Sequence, residues 1–172
     1  MQSRTNSALA ILACLIVILP LSGNAQQING CTRSQLDNPQ RVVFQCGDGL
    51  VLEAEAAAAL DIQEQPGEPR PETVELDSEA LLVDVEPGSG PFQILTPQAI
   101  AAVRGTQFIV DVQPQMTAVF VTRGQVQVSR LNGQEAVSLT EGEGVEVSDD
   151  QPLEVKTWPV AKAARLLARF GR

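Results

Sequence analysis

From Thr73 to Thr157 the chain keeps one cadence, a short apolar run followed by a turn signal, and that cadence limits the fold more than any other feature. The runs fall at 73–76, 80–85, 92–95, 98–104, 106–112, 117–122, 125–131, 135–140, 143–148 and 153–157. Between them stand Pro87-Gly88-Ser89-Gly90, Gln113-Pro114, Arg123-Gly124, Asn132-Gly133, Glu141-Gly142 and Asp149-Asp150. Short strands at about ten-residue spacing, punctuated in this way, predict an all-β fold, a compact sandwich or roll of antiparallel strands. Asn132-Gly133 is the clearest hairpin signal, because both residues tolerate the positive φ of a tight primed turn.

Upstream, Leu50-Val51-Leu52-Glu53-Ala54-Glu55 alternates with period two, which points Leu50, Leu52 and Ala54 inward and Glu53 and Glu55 to water. The continuation from Ala56 to Leu60 suits helix or strand. Residues 63–72 hold three prolines and no large apolar group, as in a loop or mobile linker. At the other end Trp158 and Pro159 precede a pattern that puts Val160, Ala163, Ala164, Leu167 and Phe170 on one helical face, with Gly171 as the stop. An amphipathic helix over 158–172 is expected, docked on the β body.

The first 25 residues read as an export signal. Arg4 precedes the apolar run Ala8 to Leu21, which is too short for a membrane span, and small Gly23 and Ala25 suit cleavage before Gln26. Export places Cys31 and Cys46 in an oxidising compartment, where a single structural disulfide is the expected use of two cysteines. A loop of that length contributes about 3 kcal/mol in the chain-entropy model. The expected organisation is therefore a signal peptide over 1–25, a disulfide-closed segment over 26–48, a β domain over 49–157 and the terminal helix.

Charge is unevenly spread on a chain of net charge −9. Residues 26–155 carry all 21 Asp and Glu against six arginines, while the last 17 residues carry Lys156, Lys162, Arg165, Arg169 and Arg172 with no acid. An acidic body is unsuited to a nucleic-acid backbone. Lys162, Arg165 and Arg169 form a candidate interaction helix for anionic lipid or an acidic partner, set against a plainer role as cations answering the helix dipole and the body's own acids.

Chemistry is sparse. The sequence has no histidine and no tyrosine, which removes Ser-His and Cys-His nucleophile pairs and histidine metal ligands. Glu141, Glu143, Glu146 and Asp149-Asp150 lack the ligand density of a calcium loop and read as solvated hairpin ends, with a carboxylate-based hydrolase as a remote third option. The Gly-Glu-Gly at 142–144 is followed by neither a helix nor a lysine, so no phosphate loop is present. Phe92, Phe108 and Phe120 lie in strand-like runs and are expected in the core, which leaves few aromatics for a carbohydrate platform. No catalytic, cofactor or metal residues are assigned, and no cofactor is expected.

One interruption stands out, Arg104-Gly105-Thr106 inside IAAVRGTQFIV. The expected reading is a structural corner in which Gly105 permits a turn or close approach, Thr106 restarts a strand, and Arg104 bonds carbonyls or a carboxylate. The competing reading makes Arg104 an anion site.

The segments ILTPQAIAAVRGTQFIVDV, TAVFVTRGQVQVS and AVSLTEGEGVEV, in that order, resemble the periplasmic domain of the FecR family over Leu81 to Val147. In its well-understood members that domain relays an iron-uptake signal from an outer-membrane receptor to a cytoplasmic sigma factor. The resemblance implies binding, not catalysis. Here a signal peptide and disulfide loop stand where those members carry a cytoplasmic segment and a span, so what carries over is the fold and a periplasmic sensing role, without assigned binding residues. The expectation is an exported, non-enzymatic β domain that binds an envelope protein or ligand, set against a scaffolding envelope protein whose basic helix touches membrane or an acidic partner.

Overall fold

A computed structural model describes residues 26–28, 30–63 and 67–172. The expected signal peptide lies outside the described residues. Fourteen strands and one helix follow in order: β1 Gln26–Ile28, β2 Cys31–Asp37, β3 Gln40–Cys46, β4 Leu50–Glu55, β5 Ala59–Ile62, β6 Thr73–Val85, β7 Phe92–Leu95, β8 Ala99–Val103, β9 Gln107–Gln113, β10 Met116–Arg123, β11 Gln125–Arg130, β12 Ala136–Thr140, β13 Glu143–Val147, β14 Lys156–Thr157 and α1 Val160–Ala168. The fold of the described residues is all-β with a single short helix, the β class that the cadence predicts.

The strands form two layers. One runs β1-β2-β3-β4-β6-β9-β10-β13-β14, entirely antiparallel, and α1 packs on its outer face. The other runs β5-β6-β7-β8-β11-β12, with a parallel step between β6 and β7. They are called here the helix-side sheet and the open sheet. Leu81, Val83, Phe108, Val110, Val119 and Val121 from the first face Val74, Ile94, Ala101, Val103, Val126 and Val128 from the second in one buried cluster.

Strand β6 belongs to both layers. The alternation of TVEL and of ALLVDV predicts two strands; the structure joins them into one of 13 residues that changes sheet at Glu79, whose φ is +65°. Before that kink β6 pairs with β5 and β7, and after it with β4 and β9. A bend in the backbone lets one strand turn the corner between two sheets.

The other layer changes cluster at the opposite end. Residues 86–91, 104–106, 124 and 141–142 each carry the chain between sheets. Gly105 and Gly124 meet there, both at positive φ: a Cβ on Gly105 would lie 2.7 Å from Pro87 Cα, and one on Gly124 would lie 3.1 Å from Gly105 O. Thr106 is fully buried and donates from Oγ1 to Gln125 O at 2.9 Å, while its own carbonyl accepts from Val85 N at 2.9 Å. The corner is thus closed by glycine contact and by threonine.

Strands β1 to β3 are continuous with the β domain. The β2–β3 hairpin turns at Asn38-Pro39, Cys31 and Cys46 face each other in register and are disulfide-bonded, and β3 pairs with β4. The expected strand over 153–157 pairs only at Lys156 and Thr157; Leu153 and Val155 turn their side chains to the core instead.

The helix face differs from the expected one. Leu166 and Phe170 are buried, with Ala163 and Leu167 packed beside them, whereas Val160 is 85 % exposed and Ala164 is exposed. Packing begins one turn later because Trp158 reaches the sheet first. Its indole stacks on Phe120, ring centroids 5.0 Å apart, and lies so close to the backbone of Gly144 that a Cβ there would sit 2.5 Å from the ring. Lys162 Nζ caps the other face of the indole at 3.6 Å.

Candidate functional site

Arg70, not Arg104, bonds carbonyls at the junction of residues 67–72 and 86–91. Arg70 is 5 % exposed and donates to Pro71 O at 3.2 Å, Ser89 O at 2.6 Å and Pro91 O at 3.1 Å, with its guanidinium 6.0 Å from the Phe92 ring. The proline-rich stretch, expected to be loop or linker, is therefore pinned over 67–72. A Cβ on Gly47 would come within 2.5 Å of Pro69 O, so this segment lies directly on the disulfide end of the hairpin. Sequence reasoning missed Arg70; the signal available was a lone cation held between two prolines in a segment otherwise rich in Glu and Gln.

Arg104 departs from its expected structural role. Its side chain is exposed and makes no hydrogen bond or ion pair among the described residues; its carbonyl alone takes part, accepting from Thr106 Oγ1 at 3.4 Å. It lies at the rim of the outer face of the open sheet, beside a depression of about 600 Å³.

Strand alternation builds that face. Phe92, Ile94, Ala101, Val103, Val126, Val128 and Leu139 point inward, so their neighbours point out. The pairing registers Thr73↔Gln93, Gln93↔Ala102, Ala102↔Gln127 and Gln127↔Ser138 align one outward residue from each of β6, β7, β8, β11 and β12 in a single row. Ala102, the smallest member, is flanked by two glutamines and forms the floor of the depression. Gln93 Nε2 donates to Thr73 Oγ1 at 3.0 Å, which fixes one amide, while Gln127 and Ser138 stay exposed. One step along the strands, Leu95 pairs with Ile100 and both are half-buried, in a second outward row flanked by Glu75 and Ser129. On the other side exposed Gln125 adjoins Val126, the strand partner of Val103 next to Arg104.

The candidate interaction helix places its three cations differently. Arg169 donates from Nε to Glu55 Oε1 at 2.8 Å and from Nη1 to Asp111 Oδ1 at 2.7 Å, and its Nη2 contacts Glu55 Oε2. Lys162 pairs with Glu146 at 2.7 Å. Arg165 is exposed and unpaired among the described residues. Just past the helix, Arg172 bonds Glu53 Oε1 at 2.7 Å, and Glu53 also accepts from Arg41 Nε at 3.0 Å. Glu53 and Glu55, expected to face water, thus sit under the helix end. Burial pushes both carboxyls up, but Arg172 and Arg41 at Glu53, and Arg169 with the Ala80 N–H at Glu55, outweigh it and hold both below the ordinary carboxylate value. Arg169 is correspondingly raised, first by its hydrogen bond to Glu55.

The remaining carboxylates are engaged locally. Glu143 Oε2 accepts from Thr140 N at 2.8 Å and Thr140 Oγ1 at 2.9 Å, closing the β12–β13 turn. Glu146 faces Lys162, so Glu143 and Glu146 belong to different local networks.

With this geometry in view, the comparisons with known proteins give a family and a shared fold. The family model described as FecR protein matches residues 34–127, more than half of the chain. The chain belongs to the FecR family. The match begins inside the disulfide hairpin, earlier than the resemblance over Leu81 to Val147. Two crystal structures of a "putative anti-sigma factor" from Parabacteroides distasonis ATCC 8503, at 1.65 Å and 2.50 Å, share the fold with a TM-score of 0.61 and 19 % identity. They cover 79 % and 80 % of this chain, which spans 64 % of theirs. No curated protein matches.

Proposed function

We propose that this chain is an exported signalling domain of the FecR type that works by binding an envelope protein or envelope ligand, with the outer face of the open sheet as its recognition surface. One observation carries the choice of surface. Each sheet has a face turned away from the core; α1 covers one of them, and among the described residues no element covers the other. The uncovered face holds the depression and the unpaired Arg104. Support for export comes from the apolar run over Ala8 to Leu21 and from the Cys31–Cys46 disulfide, which suits an oxidising periplasm. A membrane-contacting helix is the weaker surface, since Lys162 and Arg169 are spent on the body's own acids.

The test is site-specific photocrosslinking in cells. A benzophenone side chain at Gln127 should give one discrete envelope adduct, and the same group at exposed Ala161 on α1 should give none. The reverse pattern would move the interface to the helix.

A further inference from the structure

Resting on the choice of the open sheet, we infer that its last strand, β12, takes up an extended peptide segment of a partner protein as a further strand, the segment being as long as β12 and flanked by lysine or arginine. The backbone sets this class of ligand. Arg130 N donates to Glu135 O at 3.1 Å, and the two residues continue the register Ser129↔Ala136. Bonded and non-bonded pairs alternate along an antiparallel ladder, so Val137 and Leu139 bond to β11 while the N–H and C=O groups of Ala136, Ser138 and Thr140 point to the free edge. Thr140 fits that phase, since its N–H donates to Glu143 Oε2 at 2.8 Å. The Ala136 and Ser138 N–H groups have no partner among the described residues, and β12 pairs with β11 alone. A row of main-chain donors and acceptors at strand spacing is matched by another extended backbone.

The other strand edges are blunted. β14 has two residues and β1 three, and β5 carries Asp61 and a register irregularity at Ala59/Leu60. β12 has five residues, AVSLT, without charge, proline or bulge, the devices that keep an edge from pairing.

Charge chooses between a partner and a second copy. The antiparallel register that pairs all of β12 with itself is centred on Ser138, and at both ends it sets Glu135 of one copy opposite Glu141 of the other. Like charges directly opposite are destabilising, whereas a partner's cations at those two positions complement them. Glu143 adds acid at the Thr140 end, and Asp149 and Asp150 share a depression with Glu135. The nearby cations are engaged, Arg130 with Glu135, Ser148 O and Gln151 O, and Arg123 with Asp84; unpaired Arg104 lies two strands inward.

The exported protein, titrated by ¹H–¹⁵N NMR with three capped peptides, tests this. The probes are Lys-Val-Thr-Val-Thr-Val-Lys, the same peptide N-methylated at every residue between the lysines, and a version with glutamate at both ends. The lysine peptide is expected to move the Ala136 and Ser138 amide protons downfield and slow their exchange, to change Val137 and Leu139 little, and to bind at least tenfold more tightly than either other probe. Ser138→Pro removes an outward N–H that takes no part in the β11 ladder, so it should keep the parent melting temperature and abolish binding. Glu135→Gln with Glu141→Gln should erase the margin over the glutamate-ended peptide. Equal binding by the N-methylated peptide would overturn strand addition, whether or not Ser138→Pro folds. A dimer of the unliganded protein that Ser138→Pro dissolves would replace the partner by a second copy. Gln127 is the strand partner of Ser138, which separates edge from face. No peptide binding, with a Gln127 adduct equal in parent and Ser138→Pro, would overturn the edge and leave the face standing; peptide binding with no Gln127 adduct would support the edge and remove the face.

Discussion

Two arginines show how little a residue's type says about its role. Arg70 lies between prolines in a stretch with no periodic pattern, yet it is buried and ties three carbonyls from two loops together. Arg104 lies in the most fold-like segment of the sequence, yet its side chain reaches no protein partner among those described. Removing a charged donor from buried acceptors costs the desolvation of each one left behind. Arg70→Ala should therefore lose about 2–3 kcal/mol in urea denaturation, and Arg104→Ala should stay within about 0.5 kcal/mol of the parent, as an exposed substitution does. Comparable losses from both would return Arg104 to a structural role.

At the scale of elements, α1 is held by an apolar strip and by an ionic clasp. The strip is Leu166, Phe170 and Trp158 on Leu82, Ile109 and Phe120. The clasp sets Arg169 and Arg172 against Glu53, Glu55 and Asp111. Because the Glu53 and Glu55 carboxyls are depressed, the stability they contribute is complete above the ordinary carboxylate range and is lost as pH falls through their folded values. The double variant Arg169→Ala, Arg172→Ala should be less stable than the parent by about 2 kcal/mol at pH 7, between an exposed and a buried ion pair. That gap should shrink below about pH 4, as the acids protonate in both proteins. A gap independent of pH, measured by chemical denaturation from pH 7 to 3, would mean that the two arginines act through packing alone.

For the molecule as a whole, the parts legible in sequence are those governed by local pattern. Period-two alternation locates β7 to β13 closely, and the two cysteines beyond residue 25, expected to pair, form the Cys31–Cys46 bridge. What escaped depends on contacts far apart in the chain. The fusion of two strands at Glu79 arises because the halves of β6 serve different sheets, and nothing in TVELDSEALLVDV marks that. The row Thr73, Gln93, Ala102, Gln127 and Ser138 draws one residue from each of five strands, and becomes a surface only once their registers are set. The two-layer arrangement then divides labour in the proposed reading: core, disulfide, Arg70 junction and helix clasp hold the fold, and the uncovered face is the surface proposed for recognition.

The yield of the Gln127 envelope adduct in an Ala102→Leu background, compared with the parent at equal folded fraction, tests that division most directly. Ala102 is part of the outward row and not of the core, so the variant should keep the parent melting temperature while the adduct falls at least tenfold. An adduct that forms undiminished on a face whose depression has been filled would contradict the assignment of recognition to the open sheet.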